Sequence, residues 1–203
     1  MKRRSKVARA GALITVAVVA GAALSGCTSS AEPITYHPAY LDYPSVKDLQ
    51  AGSTDVVQGI VVDSRSEWID VSSKPRDPED PESNPNLGSE SEQPNSEFLY
   101  TVYSVKVTDV ADGTAKPGDV LEVRQLGGTV EGDTATADGA AEVTNGNEYV
   151  FFLVTMPDGM AELPNPALSV FPVAADRTVT VPKSNTLGTE AGDDVADLFT
   201  SGG

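Results

Sequence analysis

The stretch FLYTVYSVKVTDV, from Phe98 to Val110, is the longest strand signal in the chain. Successive side chains of a strand point to opposite faces, so residues two positions apart share a face. One face carries Leu99, Tyr103, Val105 and Val107, and the other carries Ser104, Lys106 and Thr108. We predict a half-buried strand here, and with it a mainly β domain.

A second strand follows this stretch after a short turn. The turn region, residues 111–119, is rich in Gly, Pro and Asp, the residue types that favour reversals. In the strand from Val120 to Leu126 we predict that Leu121 and Val123 point inward, and that Glu122 and Arg124 point outward. Two strands joined in this way predict a hairpin.

Further strands are predicted on both sides of this hairpin. Residues 55–62 are β-branched, with residues 67–71 as a possible extension, and Gly59 in their middle indicates a bulge or sharp bend. Residues 148–155 are apolar on both faces, which predicts a central strand covered on its second side. The candidates for that cover are the tyrosine-rich residues 34–44 and the C-terminus. Residues 169–173 and 177–181 predict two short strands.

Two short helices are predicted at the ends of the domain. Ser45 is a typical N-cap for residues 46–51, and Gly52 stands just past their end. At the other end, Val195, Leu198 and Phe199 are spaced to give one apolar stripe.

Two stretches interrupt the strand pattern. Residues 72–97 hold five prolines and seven acidic residues against two basic ones, which predicts a disordered acidic insertion. Residues 127–147 are rich in Gly, Ala, Thr and Asp, which predicts a long flexible loop.

The succession of strand texts resembles a known kind of domain. DVVQGIV (55–61), YTVYSVKV (100–107), GDVLEVRQ (118–125) and NEYVFFL (147–153) are similar to small exported bacterial domains of uncharacterised function. The resemblance implies an OB-type barrel like those of netrin-like and metalloproteinase-inhibitor domains. We therefore predict a mainly β fold, a small five-stranded OB-like barrel with a short N-terminal and a short C-terminal helix; a β-sandwich is the alternative. Inhibitor activity is not implied. Such domains reach a metal through a disulfide-bonded N-terminal cysteine, whereas this chain has a single cysteine and can form no disulfide within itself.

The N-terminus is typical of an exported lipoprotein. Five Lys and Arg residues precede the uncharged apolar run 10–24, which is the layout of a signal peptide. The run ends in Leu24-Ser25-Gly26-Cys27, which resembles a lipobox and holds the only cysteine. Lipidation of Cys27 is the prediction. The alternatives are a retained helix, for which the run is short, and a chance cysteine; Arg3-Arg4 is a weak hint of twin-arginine export.

Charge supports a lipid anchor over an electrostatic one. The first 26 residues contain five of the 14 Lys and Arg and none of the 30 Asp and Glu, so the remaining chain has a formal charge of −21. Such a surface repels nucleic acid and anionic lipid. We expect membrane attachment through lipid on Cys27, palmitate included, at the extracytoplasmic face of the cell membrane.

The familiar catalytic and metal chemistries lack their residues. His37 is the only histidine and lies in a segment rich in Pro and Tyr, away from any nucleophile elbow. A zinc site normally needs several His or Cys ligands. Gly127-Gly128 is followed by no lysine that could meet a phosphate. We predict no catalytic residue, no cofactor and no metal site, with a carboxylate-dependent glycan hydrolase as the alternative.

One strand face favours a binding role. Phe98, Tyr100 and Val102 share the face of Ser104, Lys106 and Thr108, so aromatic bulk stands at one end of a polar face. In an OB-type domain such a face can receive a ligand. The alternative is that the tyrosine segment or the C-terminal helix covers it.

These observations divide the chain and assign it a role. Its predicted parts are a signal peptide (1–26), a tether with aromatic lead-in (27–44), a β domain (45–182) and a C-terminal tail with the short helix (183–203). The expected function is that of a binding or interaction module at the cell envelope, whose partner is an unidentified envelope protein or glycan. The alternatives are the hydrolase of envelope polymer and a passive structural or assembly factor.

Overall fold

The computed structural model describes residues 32–71 and 96–200. The predicted signal peptide, Cys27 and nearly all of the predicted acidic insertion lie outside the described residues. Of that insertion only Ser96 and Glu97 are described, and Glu97 begins a strand. The elements are β1 (Ile34–Tyr36), α1 (Val46–Ala51), β2 (Asp55–Asp70), β3 (Glu97–Asp112), β4 (Val120–Leu126), β5 (Gly128–Val130), β6 (Asp133–Ala137), β7 (Glu148–Thr155), β8 (Ala161–Glu162), α2 (Pro166–Ser169), β9 (Val170–Val173) and α3 (Ala191–Thr200).

Five strands of the described chain close into a ring of backbone pairing. β2 pairs with β3 on one side and with β7 on the other, and β4 joins β3. The two-residue β8 closes the ring, parallel to β4 and antiparallel to β7. Numbered by chain order, the strands run 1-2-3-5-4 around the ring. The mainly β prediction is confirmed.

Gly59 lies at an irregularity of β2, as the sequence predicts. The register with β3 shifts between Gln58 and Gly59. A Cβ at Gly59 would lie 2.6 Å from Val105 Cγ1 and 2.9 Å from the Lys106 carbonyl oxygen. Only glycine lets the two backbones approach this closely, so the bend of β2 depends on it.

The interior of the ring is apolar. Alternate residues of β3 point into it, so the odd-numbered positions from Tyr103 to Val107 are buried there. Residues from the other strands complete this core, among them Val57, Val61, Val123, Tyr149, Phe151 and Leu153. The even-numbered positions of β3 and β4 consequently point to the outside of the ring.

β7 is buried on both faces, which confirms the prediction of a central strand. Phe151 lies inside the ring, whereas Val150 and Phe152 point outward into a second apolar cluster. That cluster is covered by α1 through Leu49 and by α3 through Val195. Tyr43 of the tyrosine-rich segment packs at its margin. Both predicted covers therefore contribute.

The two predicted helices are confirmed in place. Ser45 caps α1 by accepting a hydrogen bond from the Asp48 N–H at 3.2 Å, and Gly52 is its C-cap. α3 buries Val195 and partly buries Leu198 and Phe199 against the second cluster. The helix is thus packed on the domain.

Two predictions about the less regular stretches are wrong. The predicted loop 127–147 contains β5 and β6, which form a three-stranded sheet with β1. Its glycines at 127, 128 and 132 have positive φ and serve the turns between those short strands. The predicted strand 177–181 is reduced to one isolated bridge, between Val179 and Val173.

Candidate functional site

The predicted binding residues lie on the outside of the ring. Phe98, Tyr100 and Val102 occupy even-numbered positions of β3, on the face opposite the residues of this strand that fill the interior. The strand registers set Val102 between Arg65 of β2 and Arg124 of β4. This row of side chains crosses the outer face, and we call that surface the β3–β4 face.

The aromatic end of the β3–β4 face is covered. Tyr100 and Val102 are buried, and Phe98 is half-buried. The Tyr36 ring packs edge-on against Phe98 with centroids 5.6 Å apart, and the Tyr36 hydroxyl accepts a hydrogen bond from the Leu99 N–H. The tyrosine-rich segment therefore closes this end, which is the alternative that the sequence left open.

Arg124 points outward, as predicted, but it is buried. Its side chain is only 3% exposed. Parallel pairing with β8 brings Glu162 beside it, and the loop before β8 brings Asp158. The guanidinium also lies over the Tyr100 ring, 5.3 Å from its centroid. Arg124 points outward from the ring but is enclosed, because Asp158 and Glu162, which are distant in the chain, cover it.

Two carboxylates compensate the buried guanidinium. Arg124 Nε donates to Glu162 Oε1 at 2.6 Å, and Nη1 donates to Asp158 Oδ2 at 2.6 Å. Burial acts to lower the pKa of Arg124, but these hydrogen bonds outweigh it and the pKa is raised. Partial burial acts to raise the pKa of Asp158, but hydrogen bonds from the Met160 N–H and Arg124 lower it overall. The group is thus held in its ionised form.

Tyr100 makes stability depend on pH in the alkaline range. Burial, with the nearby charge of Glu162, raises the pKa of Tyr100 from 10.0 to about 12. The neutral phenol thus contributes stability that is full below pH 10 and is lost as the pH rises through about 12. We expect the free energy of unfolding to fall less steeply over this range in Tyr100→Phe, as measured by urea unfolding at a series of pH values. Parallel curves for the two proteins would contradict the prediction.

Arg65 is the solvent-exposed counterpart of Arg124 in the same row. Its Nη1 lies 2.7 Å from Glu122 Oε1, and its side chain is 42% exposed. Glu67 Oε1 lies 3.0 Å from Arg65 Nη2, as an ion pair without a well-aligned hydrogen bond. The two arginines thus lie in the same row and each has two carboxylate partners, but Arg124 is buried and Arg65 is exposed.

A cleft of about 480 Å³ opens beside the β3–β4 face. Leu121, Leu153 and Met160 give it apolar walls. Its carboxylates are Asp55, Asp119, Glu122 and Asp158. A concave site with apolar walls and a few fixed polar groups is the usual form of a binding pocket. We call this site the acidic cleft.

Each carboxylate of the acidic cleft already has donors within the protein. Asp55 Oδ1 accepts from the Thr114 and Ala115 N–H groups, and the hydroxyls of Thr54 and Thr155 lie 3.1 and 3.2 Å from its Oδ2. The other three are held as follows: Asp119 by the Lys116 N–H, Glu122 by Arg65, and Asp158 by Arg124. A general acid must carry a proton to give away, whereas the lowered pKa of Asp158 favours the ionised form of that carboxylate.

The remaining sequence candidates lie elsewhere. His37 Nδ1 is 2.7 Å from Asp138 Oδ2, an exposed pair that links the lead-in to the end of β6. Within the described ranges no group of three His, Cys, Asp or Glu side chains could hold a metal ion. None of the helices in those ranges is long and apolar enough to cross a membrane.

The sequence missed Arg124 and the acidic cleft for one reason. Arg124 meets its partners at separations of 34 and 38 residues, and no local pattern signals such a meeting. A clue lies in the stretch MPDGMAE (156–162), which places two carboxylates around a turn.

In the comparison with known proteins, no family model matches the chain and no curated protein matches it.

Proposed function

We propose that this protein is a lipid-anchored extracytoplasmic binding module that holds a partner at the acidic cleft. The N-terminal pattern around Cys27 supports the anchor. The cleft supports the binding role, because its walls combine apolar surface with fixed carboxylates. The partner is an envelope protein or glycan that presents basic or hydroxyl groups to those carboxylates.

The observation that carries this proposal is the fixed geometry of the cleft. Asp55 is nearly buried and is held by backbone N–H groups of the β3–β4 loop. Asp158 is held by Arg124, which is itself packed against Tyr100. A site whose polar groups are already oriented loses little conformational entropy when a partner binds.

The alternative function is a carboxylate-dependent hydrolase, for which the acidic cleft supplies candidate carboxylates. Four carboxylates line one cavity, and paired carboxylates are what glycoside hydrolysis uses. Against it, the lowered pKa of Asp158 leaves that carboxyl group poorly suited to deliver a proton. Release of reducing sugar ends from purified envelope polymer, lost in Asp158→Asn, would favour the enzyme.

A pair of exposed valines allows a matched crosslinking experiment. Val120 lines the acidic cleft and is 58% exposed, whereas Val62 is 51% exposed and does not line it. A protein with a photoreactive amino acid at either position should fold equally well, because both side chains are exposed. We expect a discrete crosslinked partner from position 120 in intact cells, and none of the same mass from position 62.

Competition at the cleft completes the test. With the photoreactive group at the exposed Thr114, which also lines the cleft, Val120→Arg sets a guanidinium beside Asp119 and Glu122. We expect the crosslink to weaken severalfold, whereas Val62→Arg should leave it unchanged. Identical products from positions 120 and 62, or a crosslink that survives Val120→Arg, would contradict the assignment of the cleft.

A further inference from the structure

The β2–β3 hairpin extends beyond the ring as an arm. β7 pairs with β2 only from Asp55 to Ile60, whereas β3 continues beside β2 as far as Asp70. Backbone pairing continues past the strand, because the Val71 N–H donates to the Ser96 carbonyl at 3.0 Å. The end of the arm carries two apolar side chains that remain more than a third exposed, Trp68 and Val71.

β1 is fixed to the same end of the arm. Tyr36 contacts both Phe98 and the backbone of Leu99, and Leu99 is the register partner of Trp68. Ile34, two residues before Tyr36, is also exposed. Trp68 and Val71 are three positions apart and therefore point to opposite sides of the arm. Together with Ile34 they surround its end rather than form one flat surface; the three are each 37 to 39% exposed, and we call them the arm-end patch.

The length of the preceding chain says where this patch lies in an anchored protein. Only four residues lie between Cys27 and Glu32, the first described residue. A fully extended chain spans at most about 3.6 Å per residue, so the Cα of Glu32 lies within about 18 Å of the Cα of Cys27. A lipid on Cys27 would thus keep β1, and with it the arm end, next to the bilayer.

We propose that the arm-end patch rests on the lipid surface, with Trp68 in the headgroup region. This inference depends on the lipid anchor of the proposed function. Tryptophan favours the membrane interface, because its ring is apolar and its N–H can meet water or headgroups. The patch is too small to bind lipid by itself, so the acyl chains supply the affinity and the patch sets the orientation.

The acidic residues near the arm end favour contact with lipid that carries no net charge. Glu67, Asp70 and Glu97 belong to the same arm, and the chain as a whole is strongly acidic. Anionic headgroups would repel such a surface. The probe is therefore a vesicle of zwitterionic phosphatidylcholine, with the acidic cleft held away from it.

Trp68 is the only tryptophan of the chain and reports on its own surroundings. The acylated protein is purified from membranes and reconstituted into phosphatidylcholine vesicles, with or without bromine on the acyl chains as a quencher. We expect Trp68 emission to shift to shorter wavelength on the vesicles and to lose intensity on the brominated ones.

A second reporter position serves as the matched control. In Trp68→Phe combined with Val120→Trp, the reporter moves to the position paired with Lys106, seven residues along β3 from Leu99. At about 3.4 Å per residue this is about 24 Å from the arm end. We expect bromine to leave this emission unchanged.

The outcomes separate the inference from the anchor on which it rests. Vesicle flotation reports the anchor independently of fluorescence. A protein that floats but is not quenched at Trp68, or is quenched equally at both positions, would overturn the orientation and leave the anchor standing. A protein that does not float would overturn both.

Discussion

Replacing Cys27 by alanine should release the protein from the membrane fraction. Burial of acyl chains contributes about 0.8 kcal/mol per methylene group, so two chains give a stable attachment. The chain after residue 26 offers no electrostatic substitute, because its formal charge is −21. We expect loss of labelling by a palmitate analogue and recovery of the protein in the soluble fraction.

A neighbouring substitution controls for export and handling. Ser29→Ala changes the tether but keeps the thiol and the apolar run before it. It should label and sediment like the unaltered protein. Equal labelling and equal membrane retention in Cys27→Ala would remove the lipoprotein assignment, and the orientation inferred for the arm-end patch with it.

Replacing Arg124 by methionine should destabilise the domain by about 3 kcal/mol, because removing one partner of a buried ion pair leaves uncompensated charge. The stranded groups are Glu162 and Asp158, whose side chains are 29% and 47% exposed, so hydration relieves part of the cost. Loss of the packing over Tyr100 adds to it. Urea unfolding of the non-lipidated chain from residue 28 measures the change.

Arg65→Met is the matched control for this substitution. Both arginines flank Val102 in one row and each meets two carboxylates, but Arg65 is exposed. Exposed ion pairs contribute less than about 1 kcal/mol, so the loss should be that small. Equal losses in the two variants would show that burial of Arg124 does not set its contribution.

Acid should narrow the difference between Arg124→Met and the unaltered protein. The pKa of Asp158 is lowered below 3.8 in the folded state. Its contribution is therefore present above pH 3.8 and is lost as the pH falls through the lowered pKa, where the unfolded chain binds more protons than the folded one. Urea unfolding at decreasing pH should show the two stabilities converging.

Elements that depend on neighbouring residues were predicted well. α1 follows from the Ser45 cap and Gly52, and the β3 strand follows from the alternation after Leu99. Gly59 marks an irregularity where it was expected. In each case the deciding contact lies within a few positions, or on the strand that comes next in sequence, so the pattern carries it.

Features that depend on distant residues were missed or placed wrongly. β5 and β6 look like loop because neither can form a stable sheet without β1, which lies about a hundred residues earlier. The burial of Arg124 has the same origin, since Glu162 reaches it only through the parallel pairing of β8. Alternation gave its face correctly but could not show what covers that face.

Local sequence patterns are enough to predict the mainly β class, the two terminal helices and the central strand at Glu148–Thr155, because periodicity and helix caps involve residues close together in the chain. The lipid-anchor prediction at Cys27 likewise depends only on residues that stand side by side. The enclosure of Phe98, Tyr100 and Val102, and the acidic cleft beside them, could be seen only in the folded chain. Enclosure is a property of what lies above a surface, and here the covering groups come from segments far away in the chain.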